Sequence, residues 1–445
     1  MRTQGHNRVA KTNEGVPVGY KKTPLGILPE EWTTPKLSSI LRENKCRNRD
    51  LSFGRESVLS VSGEKGVTNQ IELLGRSFAG VSVADYRIVK HNDIVYTKSP
   101  LKANPYGIIK QNKGGPGIVS PLYAVYESPS ETMSAYLDYW FSSDARLNNY
   151  LRPLVRRGPK NTLLIDDEEA LLGTIAVPPG VEMERIVTIL SSCDRVVENK
   201  QNLLNLMQIR KRALMRMLLE PNGGNAACNR VGGTQTNGRI SHIVSGRTIS
   251  ALNEWEWKRL EEIATITSGS TPSRQHPEYW NGGIPWVTTG ELATSPILKT
   301  VETISEVGRE KASLRKYSKG TLLMAMYGQG KTRGTVSILG IDATINQACA
   351  AISTQSNDTM FLFYQLQYRY ESIRRLSNVG SQENLNAEII ASISIPLPSL
   401  KTQRRIAAIL AAADREIDGL AHEIDAWKEK RKALSQLLLS GKVRV

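Results

Sequence analysis

A glycine-rich segment at residues 325–332 holds the residue types that come closest to a reactive site in this chain. Its sequence, AMYGQGKT, is one glycine short of the GxxxxGK[ST] pattern that binds nucleotide phosphates. Such a loop must open a helix, because the helix N-terminus cradles the phosphate. Residues 333–339, RGTVSIL, instead have the composition of a strand. The segment is therefore predicted to be the tip of a hairpin between strands at 321–326 and 335–339.

A hairpin tip of this composition suits contact with nucleic acid. Gln and Arg side chains pair bidentately with base edges, whereas Lys, Thr and Tyr side chains reach phosphates. The candidate contacts are Tyr327, Gln329, Lys331, Thr332 and Arg333 at this tip, Lys98, Lys102, Asn104 and Tyr106 in a second polar loop, and Arg156, Arg157, Lys160, Arg274, Arg374 and Arg375 elsewhere. For any one of them, an ordinary position on a polar surface loop is the simpler interpretation.

The overall charge agrees with a polyanionic partner. The chain of 445 residues carries a formal net charge of +15, and a basic excess of this size often accompanies nucleic-acid binding. Its four cysteines and five histidines are scattered, which predicts reduced thiols in a cytoplasmic protein and no metal site. No apolar run approaches the ~20 residues of a membrane span, and the polar N-terminus lacks the apolar core of a signal peptide.

Residue patterns that would mark an enzyme are missing from the sequence. The tetrapeptide VPPG at 177–180 lacks the polar and aromatic ends of the [DNS]PP[YF] motif of amino-methyltransferases. No glycine-rich cofactor loop has a strand-helix-strand context, and no cluster of carboxylates with a lysine indicates a nuclease site. The sequence therefore predicts a chain without catalytic residues that binds no cofactor itself.

Two long segments of the chain repeat each other. Residues 185–219 and 405–439 align with a constant offset of 220, and their identical pairs include Arg185/Arg405, Leu190/Leu410 and Asp194/Asp414. Upstream, residues 31–40 match residues 254–263, whereas the sequences between the matched ends diverge. A period this long is not that of a solenoid, whose units run to about 50 residues. The pattern predicts two similar modules that end in long helices and carry different binding surfaces.

Each repeated segment carries an apolar stripe with the three-four spacing of a helix. The stripe residues are Ile186, Leu190, Val197, Leu204, Met207 and Leu214 in the first copy, and Ile406, Leu410, Ile417, Ile424, Trp427 and Leu434 in the second. Both stripes have the heptad spacing of a coiled coil. One interpretation is that each stripe packs only on its own module. Because two similar stripes in one chain can bury each other, we favour an antiparallel helix pair with one module at each end.

These patterns predict a mixed α/β fold with an internal pseudo-two-fold repeat, in which a long antiparallel two-helix coiled coil separates two similar modules. The predicted division is a flexible tail at 1–22, a first module at 23–180 with its helix at 181–220, a flexible linker at 221–248, and a second module at 249–398 with its helix at 399–445. Prolines at 178–179 and at 396 and 398 predict sharp starts for both helices.

Four segments carry a resemblance to a known family. They are PLGILPEEW at 24–32, IAVPPGVEMERIVTIL at 175–190, GSTPSRQHPEYWNGGIPWVTTGEL at 269–292, and the stretch 393–445, which begins ISIPLPSLKTQRRIAAIL. In this order they resemble the specificity subunits of type I restriction-modification systems over residues 20–220 and 249–445. The resemblance implies that the modules are target recognition domains and that the helices are the spacer between them.

The family resemblance also implies partners that carry the chemistry. Each recognition domain would read one half of an asymmetric bipartite site in double-stranded DNA. Two modification subunits, which methylate adenine at N6 with S-adenosylmethionine, would dock on the helices, and restriction subunits that use ATP and Mg²⁺ would join through them. Two other classes of function stay open at this point: a self-contained DNA-modifying enzyme with an unfamiliar site, and a coiled-coil adaptor that binds only proteins.

Overall fold

Two units of the chain each contain parts of two long helices. The computed structural model describes residues 16–98, 103–157, 163–221, 240–244, 247–251, 255–293, 295–328, 331–376 and 384–445. Unit 1 comprises the described parts of Met1–Lys200 and Glu423–Val445, and unit 2 comprises those of Gln201–His422. Because the division passes through both long helices, each unit combines a module with a segment of each helix.

Unit 1 is organised around a four-stranded antiparallel sheet. Its strands are β1 (Tyr20–Thr23), β2 (Gly26–Pro29), β3 (Arg42–Glu43), β4 (Leu59–Ser62), β5 (Gly66–Asn69), β6 (Arg87–Val89), β7 (Ile94–Thr97), β8 (Ile108–Gln111), β9 (Gly117–Val119), β10 (Tyr123–Glu127), β11 (Arg156–Arg157) and β12 (Leu163–Leu164). Its helices are α1 (Gln70–Leu74), α2 (Glu131–Phe141), α3 (Asp144–Leu151) and the first part of α4 (Gly180–Leu219). The sheet has the order β3-β10-β7-β8. Helix α2 packs on this sheet, with Ser130 capping its N-terminus.

Unit 2 is organised in the same way. Its strands are β13 (Ile240–Val244), β14 (Arg247–Ala251), β15 (Glu256–Arg259), β16 (Thr265–Ser268), β17 (Trp280–Val287), β18 (Glu302–Ile304), β19 (Leu322–Ala325), β20 (Val336–Ile338), β21 (Thr344–Ile345), β22 (Cys349–Ser353) and β23 (Ser394–Leu397). Its helices are α5 (Leu260–Ile263), α6 (Glu306–Lys311), α7 (Thr359–Tyr368), α8 (Tyr370–Arg374), α9 (Ala387–Ser392) and the first part of α10 (Leu400–Leu438). The order β16-β22-β19-β20 repeats that of unit 1.

The sequence repeat corresponds to a repeat of backbone pairing. In unit 2, β15 pairs with β23 through the Cα partners Glu256↔Leu397 and Arg259↔Ser394. In unit 1, isolated bridges join the matching positions, Thr33↔Val177 and Lys36↔Thr174. In both units the start of the module is therefore paired with the residues that lead into its long helix. The mixed α/β content predicted from the sequence is confirmed.

Two of the predicted segment boundaries are corrected by the structure. The predicted N-terminal tail is too long, because residues 20–22 belong to β1 and the Tyr20 hydroxyl donates a hydrogen bond to the Gly441 carbonyl at 2.9 Å. The predicted linker contains a hairpin, since β13 and β14 pair from Ile240↔Ala251 to Val244↔Arg247. The β-branched residues of these two strands favour extended backbone. Residues 1–15, 222–239 and 245–246 of these segments lie outside the described residues.

Each unit has an apolar core that includes both of its helix segments. In unit 1, Ile186 and Leu190 of α4 and Leu438 of α10 are buried with Trp32. In unit 2, Leu214 of α4 and Ile406 and Leu410 of α10 are buried with residues of the sheet and α7. Burial of such side chains contributes ~1.5–3 kcal/mol each. No helix among the described residues is long and apolar enough to cross a membrane.

Candidate nucleic-acid interface

The predicted glycine-rich hairpin is present in unit 2. Strands β19 and β20 pair from Leu322↔Ile338 to Met324↔Val336, and the loop between them contains the predicted tip. Tyr327 is 41% exposed, Lys331 is exposed and Thr332 is half-buried. Gln329 lies outside the described residues. The hairpin therefore presents at least an aromatic ring and an ammonium group to solvent.

Arg333 does not have the position that the sequence analysis gave it. The prediction put this arginine at the hairpin tip, but it is only 8% exposed, and its Nη2 donates a hydrogen bond to the Arg374 carbonyl at 3.1 Å. The Tyr370 hydroxyl also holds this loop in place, because it donates a hydrogen bond to the Lys331 carbonyl at 2.5 Å. A buried guanidinium has lost its hydrogen bonds to water, so it needs acceptors from the protein. Arg333 therefore anchors the loop.

The structure places a further basic residue, Arg374, beside this hairpin. The Arg374 guanidinium lies 5.4 Å from the centre of the Tyr370 ring, and its Nη1 donates to the Tyr370 hydroxyl at 3.3 Å. Arg375 follows at the end of α8 and is exposed. Lys331 and Arg374 are therefore basic residues that the structure places at the unit 2 hairpin.

The matching loop of unit 1 joins β7 to β8, and its polar residues are mostly held by the protein. Lys98 Nζ lies 2.6 Å from Asp167 Oδ1, and Tyr106 is half-buried. Asn104, predicted as an exposed contact, is 5% exposed and donates a hydrogen bond to Asp144 Oδ1 at 2.8 Å. Its amide fixes the loop to α3, so the prediction for Asn104 is corrected. Lys102 lies outside the described residues.

The remaining candidates have different surroundings. Arg156 is exposed on β11 and forms an ion pair with Glu169. Arg157 follows on the same strand, but its side chain, like all of Lys160, lies outside the described residues. These basic residues belong to unit 1 and are separate in sequence from its β7–β8 loop. Among the described side chains, Lys98 and Arg156 contact carboxylates that are two residues apart, Asp167 and Glu169.

Arg274 is surrounded by two tryptophan rings and a carboxylate. Its guanidinium lies 3.6 Å from the centre of the Trp280 ring and 5.6 Å from that of Trp286. Two of its nitrogens contact the two carboxylate oxygens of Glu302 at 2.5 and 2.8 Å. The hydrogen bonds raise the pKa of Arg274 and lower that of Glu302. The planar group is thus held in one orientation at an exposed position, which suits recognition of a base or a phosphate.

The predicted stripe residues are all buried or half-buried within the unit to which each belongs. Ile186, Leu190, Leu214, Ile406, Leu410 and Ile424 are buried, and Val197, Leu204, Met207, Ile417, Trp427 and Leu434 are half-buried. Two ion pairs that flank them were not predicted from the sequence: Asp194 with Arg431 in unit 1 and Lys211 with Asp414 in unit 2. A signal for them existed, because both aspartates and both cations repeat at the offset of 220.

The described residues were also compared with what a metal site or a reactive thiol would need. No group of three or more His, Cys, Asp or Glu side chains in this part of the chain could hold a metal ion. Burial raises the pKa of the Cys349 thiol, which favours its unreactive protonated form. The surfaces that remain are exposed cations and aromatic rings on the hairpin of unit 2 and around Arg274.

Comparison with known proteins shows similarity to one family. Residues 253–426 match the family described as type I restriction modification DNA specificity domain. The chain is 28% identical to the MjaIX specificity subunit of Methanocaldococcus jannaschii, over 37% of this chain and 39% of that protein. It is 22% identical to the putative MjaX specificity subunit of the same organism, over 96% and 97%. With the EcoR124I/EcoR124II specificity subunit of Escherichia coli it shares 26% identity, over 42% and 48%.

Two solved structures have a similar fold. One is the S subunit of a type I restriction-modification system from M. genitalium, with a TM-score of 0.54 and 13% identity over 92% of this chain and 96% of that one. The other comes from a study of complex assembly and conformational transition of the type I R-M system, with a TM-score of 0.53 and 18% identity over 94% and 99%. Both matches extend across nearly the whole chain.

Proposed function

Because the chain is a relative of the specificity subunits of type I restriction-modification systems, we propose that it reads an asymmetric bipartite site in double-stranded DNA. The observation that carries this proposal is the duplicated sheet with divergent loops. The order β3-β10-β7-β8 in unit 1 equals β16-β22-β19-β20 in unit 2. The connecting loops differ in sequence and in the residues that they expose. A shared scaffold with different loops can recognise two different DNA sequences.

The two long helices are proposed to form an antiparallel coiled-coil spacer between the recognition domains. In unit 1, Asp194 pairs with Arg431 at 2.8 Å and Lys200 pairs with Glu423 at 2.5 Å. Residue numbers rise along α4 while those of the partners fall along α10, as in an antiparallel pair. In unit 2 the two helices are also joined by an ion pair, between Lys211 and Asp414 at 2.5 Å.

The chain is proposed to act as an assembly platform without catalysis of its own. Two modification subunits would dock on the helices and methylate adenine with S-adenosylmethionine, and restriction subunits that need ATP and Mg²⁺ would join through them. Apolar side chains of α4 support such docking, because Leu203, Leu206 and Ile209 are exposed in unit 2. Exposed apolar groups on a helix otherwise lower solubility.

Binding to duplex DNA should depend steeply on salt if the basic surface contacts phosphates. Each phosphate contact is expected to contribute about −0.9 to the slope of log K against log salt concentration, because bound counterions are released. A fluorescence titration of the chain with a DNA duplex at several salt concentrations measures this slope. An affinity that does not change with salt would show that phosphate contacts do not dominate binding, and the absence of binding even at low salt would favour the protein-binding adaptor.

Lys331 and Arg333 should respond differently to replacement by alanine. Lys331→Ala removes an exposed cation, so it should weaken binding on all DNA sequences alike and make the salt slope shallower by about 0.9. Arg333→Ala removes a buried anchor, so it should mainly lower the free energy of unfolding, by ~1–3 kcal/mol. Thermal unfolding and DNA titration of both variants separate these effects. Loss of discrimination at one base pair in Arg333→Ala, with unchanged stability, would restore Arg333 as a base contact.

A further inference from the structure

A cluster of tyrosine, aspartate and arginine joins the module of unit 1 to both long helices. The Tyr139 hydroxyl on α2 donates a hydrogen bond to Asp194 Oδ2 on α4 at 2.8 Å. Arg431 Nε on α10 donates to Asp194 Oδ1, also at 2.8 Å. The Arg431 guanidinium lies 5.5 Å from the centre of the Tyr139 ring. Each of the three residues thus contacts the other two.

Unit 2 contains the same cluster with lysine as the cation. The Tyr364 hydroxyl on α7 donates to Asp414 Oδ2 on α10 at 2.7 Å. Lys211 Nζ on α4 lies 2.5 Å from Asp414 Oδ1 and 5.5 Å from the centre of the Tyr364 ring. The roles of the helices are exchanged: α4 supplies the aspartate in unit 1 and the cation in unit 2.

The sequence repeat carries these residues as matched pairs. Asp194 and Asp414 are separated by the offset of 220, and so are Lys211 and Arg431. Each cation is the middle residue of a basic triplet, at 210–212 and at 430–432, and it is the half-buried member between two exposed neighbours. If these triplets served only to keep the helix surface solvated, burial of the middle cation would not be expected in both copies.

The tyrosines are donors at neutral pH. Burial raises the pKa of Tyr139 and of Tyr364 well above the usual range, and the neighbouring aspartate raises each further. Hydrogen bonds from a hydroxyl or a guanidinium to a carboxylate are directional and stronger than those between neutral groups. Apolar packing, which also holds α2 and α7 in place, is not directional. The clusters therefore supply orientation that the apolar cores do not.

We propose that the two clusters are matched clamps that hold each recognition domain at a fixed angle on the helix pair and thereby define the spacing of the two half-sites. This inference rests on the proposed function. The four charged residues on the long helices and the two tyrosines are positioning residues, since none of them needs to contact DNA. Loss of a clamp is expected to loosen the angle of one domain and to leave its DNA-reading loops intact.

The test compares methylation by the assembled complex on substrates with the native spacer and with spacers one base pair shorter or longer. Asp194→Asn and Asp414→Asn should each lower the preference for the native spacer, by about tenfold, because a hydrogen bond to a charged group is lost. The base preference within each half-site should not change. Tyr139→Phe and Tyr364→Phe keep the rings in the core and should give the same direction of change if an asparagine variant does not fold.

Two sets of controls come from the chain itself. Arg431→Lys gives unit 1 the cation that unit 2 uses, so it should retain the preference, and the exposed neighbours should tolerate Arg212→Gln and Lys432→Gln. Equal loss of methylation at every spacing in the aspartate and tyrosine variants would overturn the clamp and leave the proposed function standing. A wild-type complex without a bipartite preference would overturn both.

Discussion

A seven-residue insertion in each long helix should lengthen the preferred distance between the half-sites by about three base pairs. The insertions would follow Lys200 in α4 and precede Glu423 in α10, residues whose charged groups lie 2.5 Å apart within unit 1. These points face each other, so equal insertions lengthen the two helices at the same place. Because the apolar positions repeat every seven residues, both stripes stay in phase. Seven residues add about 10 Å of helix, which corresponds to roughly 3 bp of duplex DNA. Methylation of a library of spacer lengths measures the shift.

A two-residue insertion at the same points is the matched control. It rotates the following stripe by about 200°, since each residue turns the helix by ~100°. Assembly with the modification subunit should therefore weaken, whereas the heptad variant should assemble normally. An unchanged spacer preference in a well-assembled heptad variant would mean that the helices do not set the distance between the half-sites.

Exchanging residues 41–157 for the equivalent region of a relative should replace one half-site completely and leave the other intact. The exchanged region contains the sheet and loops of unit 1 but not the paired segments around Thr33↔Val177 and Lys36↔Thr174. The joint to α4 is therefore retained. The donor must keep a tyrosine at the position of Tyr139, because this hydroxyl contacts Asp194. The modified sequence is read by mapping methylated adenines.

The reciprocal exchange in unit 2 is the control for this experiment. It should change the other half-site, and a double exchange should change both independently, since sites in separate units are expected to act additively. A single exchange that alters both half-sites, or neither, is incompatible with two independent readers.

The repeat was the part of the fold that the sequence could reveal, because helix periodicity and matched ends depend on local residue types. The helices predicted at 181–220 and 399–445 occur as Gly180–Leu219 and Leu400–Leu438. Prolines before each helix explain the agreement at the start. At the end of α10, Gly441 has φ +65° and its amide donates to the Leu438 carbonyl at 3.1 Å. Such a glycine is a local signal that ends a helix.

The candidate site was less predictable, since exposure depends on segments that are distant in sequence. Asn104 and Arg333 are polar residues in loops, yet Asp144 and the Arg374 carbonyl lie against them and bury them. Residue type alone does not distinguish an anchor from a contact. The Tyr–Asp–cation clusters each require three separate helices, so only the offset of 220 hinted at them.

Recognition of a bipartite site can be tested with a map of N6-methyladenine in DNA from cells that express this chain together with a modification subunit that assembles with it. Two recognition domains at a fixed distance predict methylation in one motif, with two short specified halves of different sequence separated by a fixed number of unspecified base pairs. Methylated adenines in a single uninterrupted motif, or methylation without any motif, would contradict it.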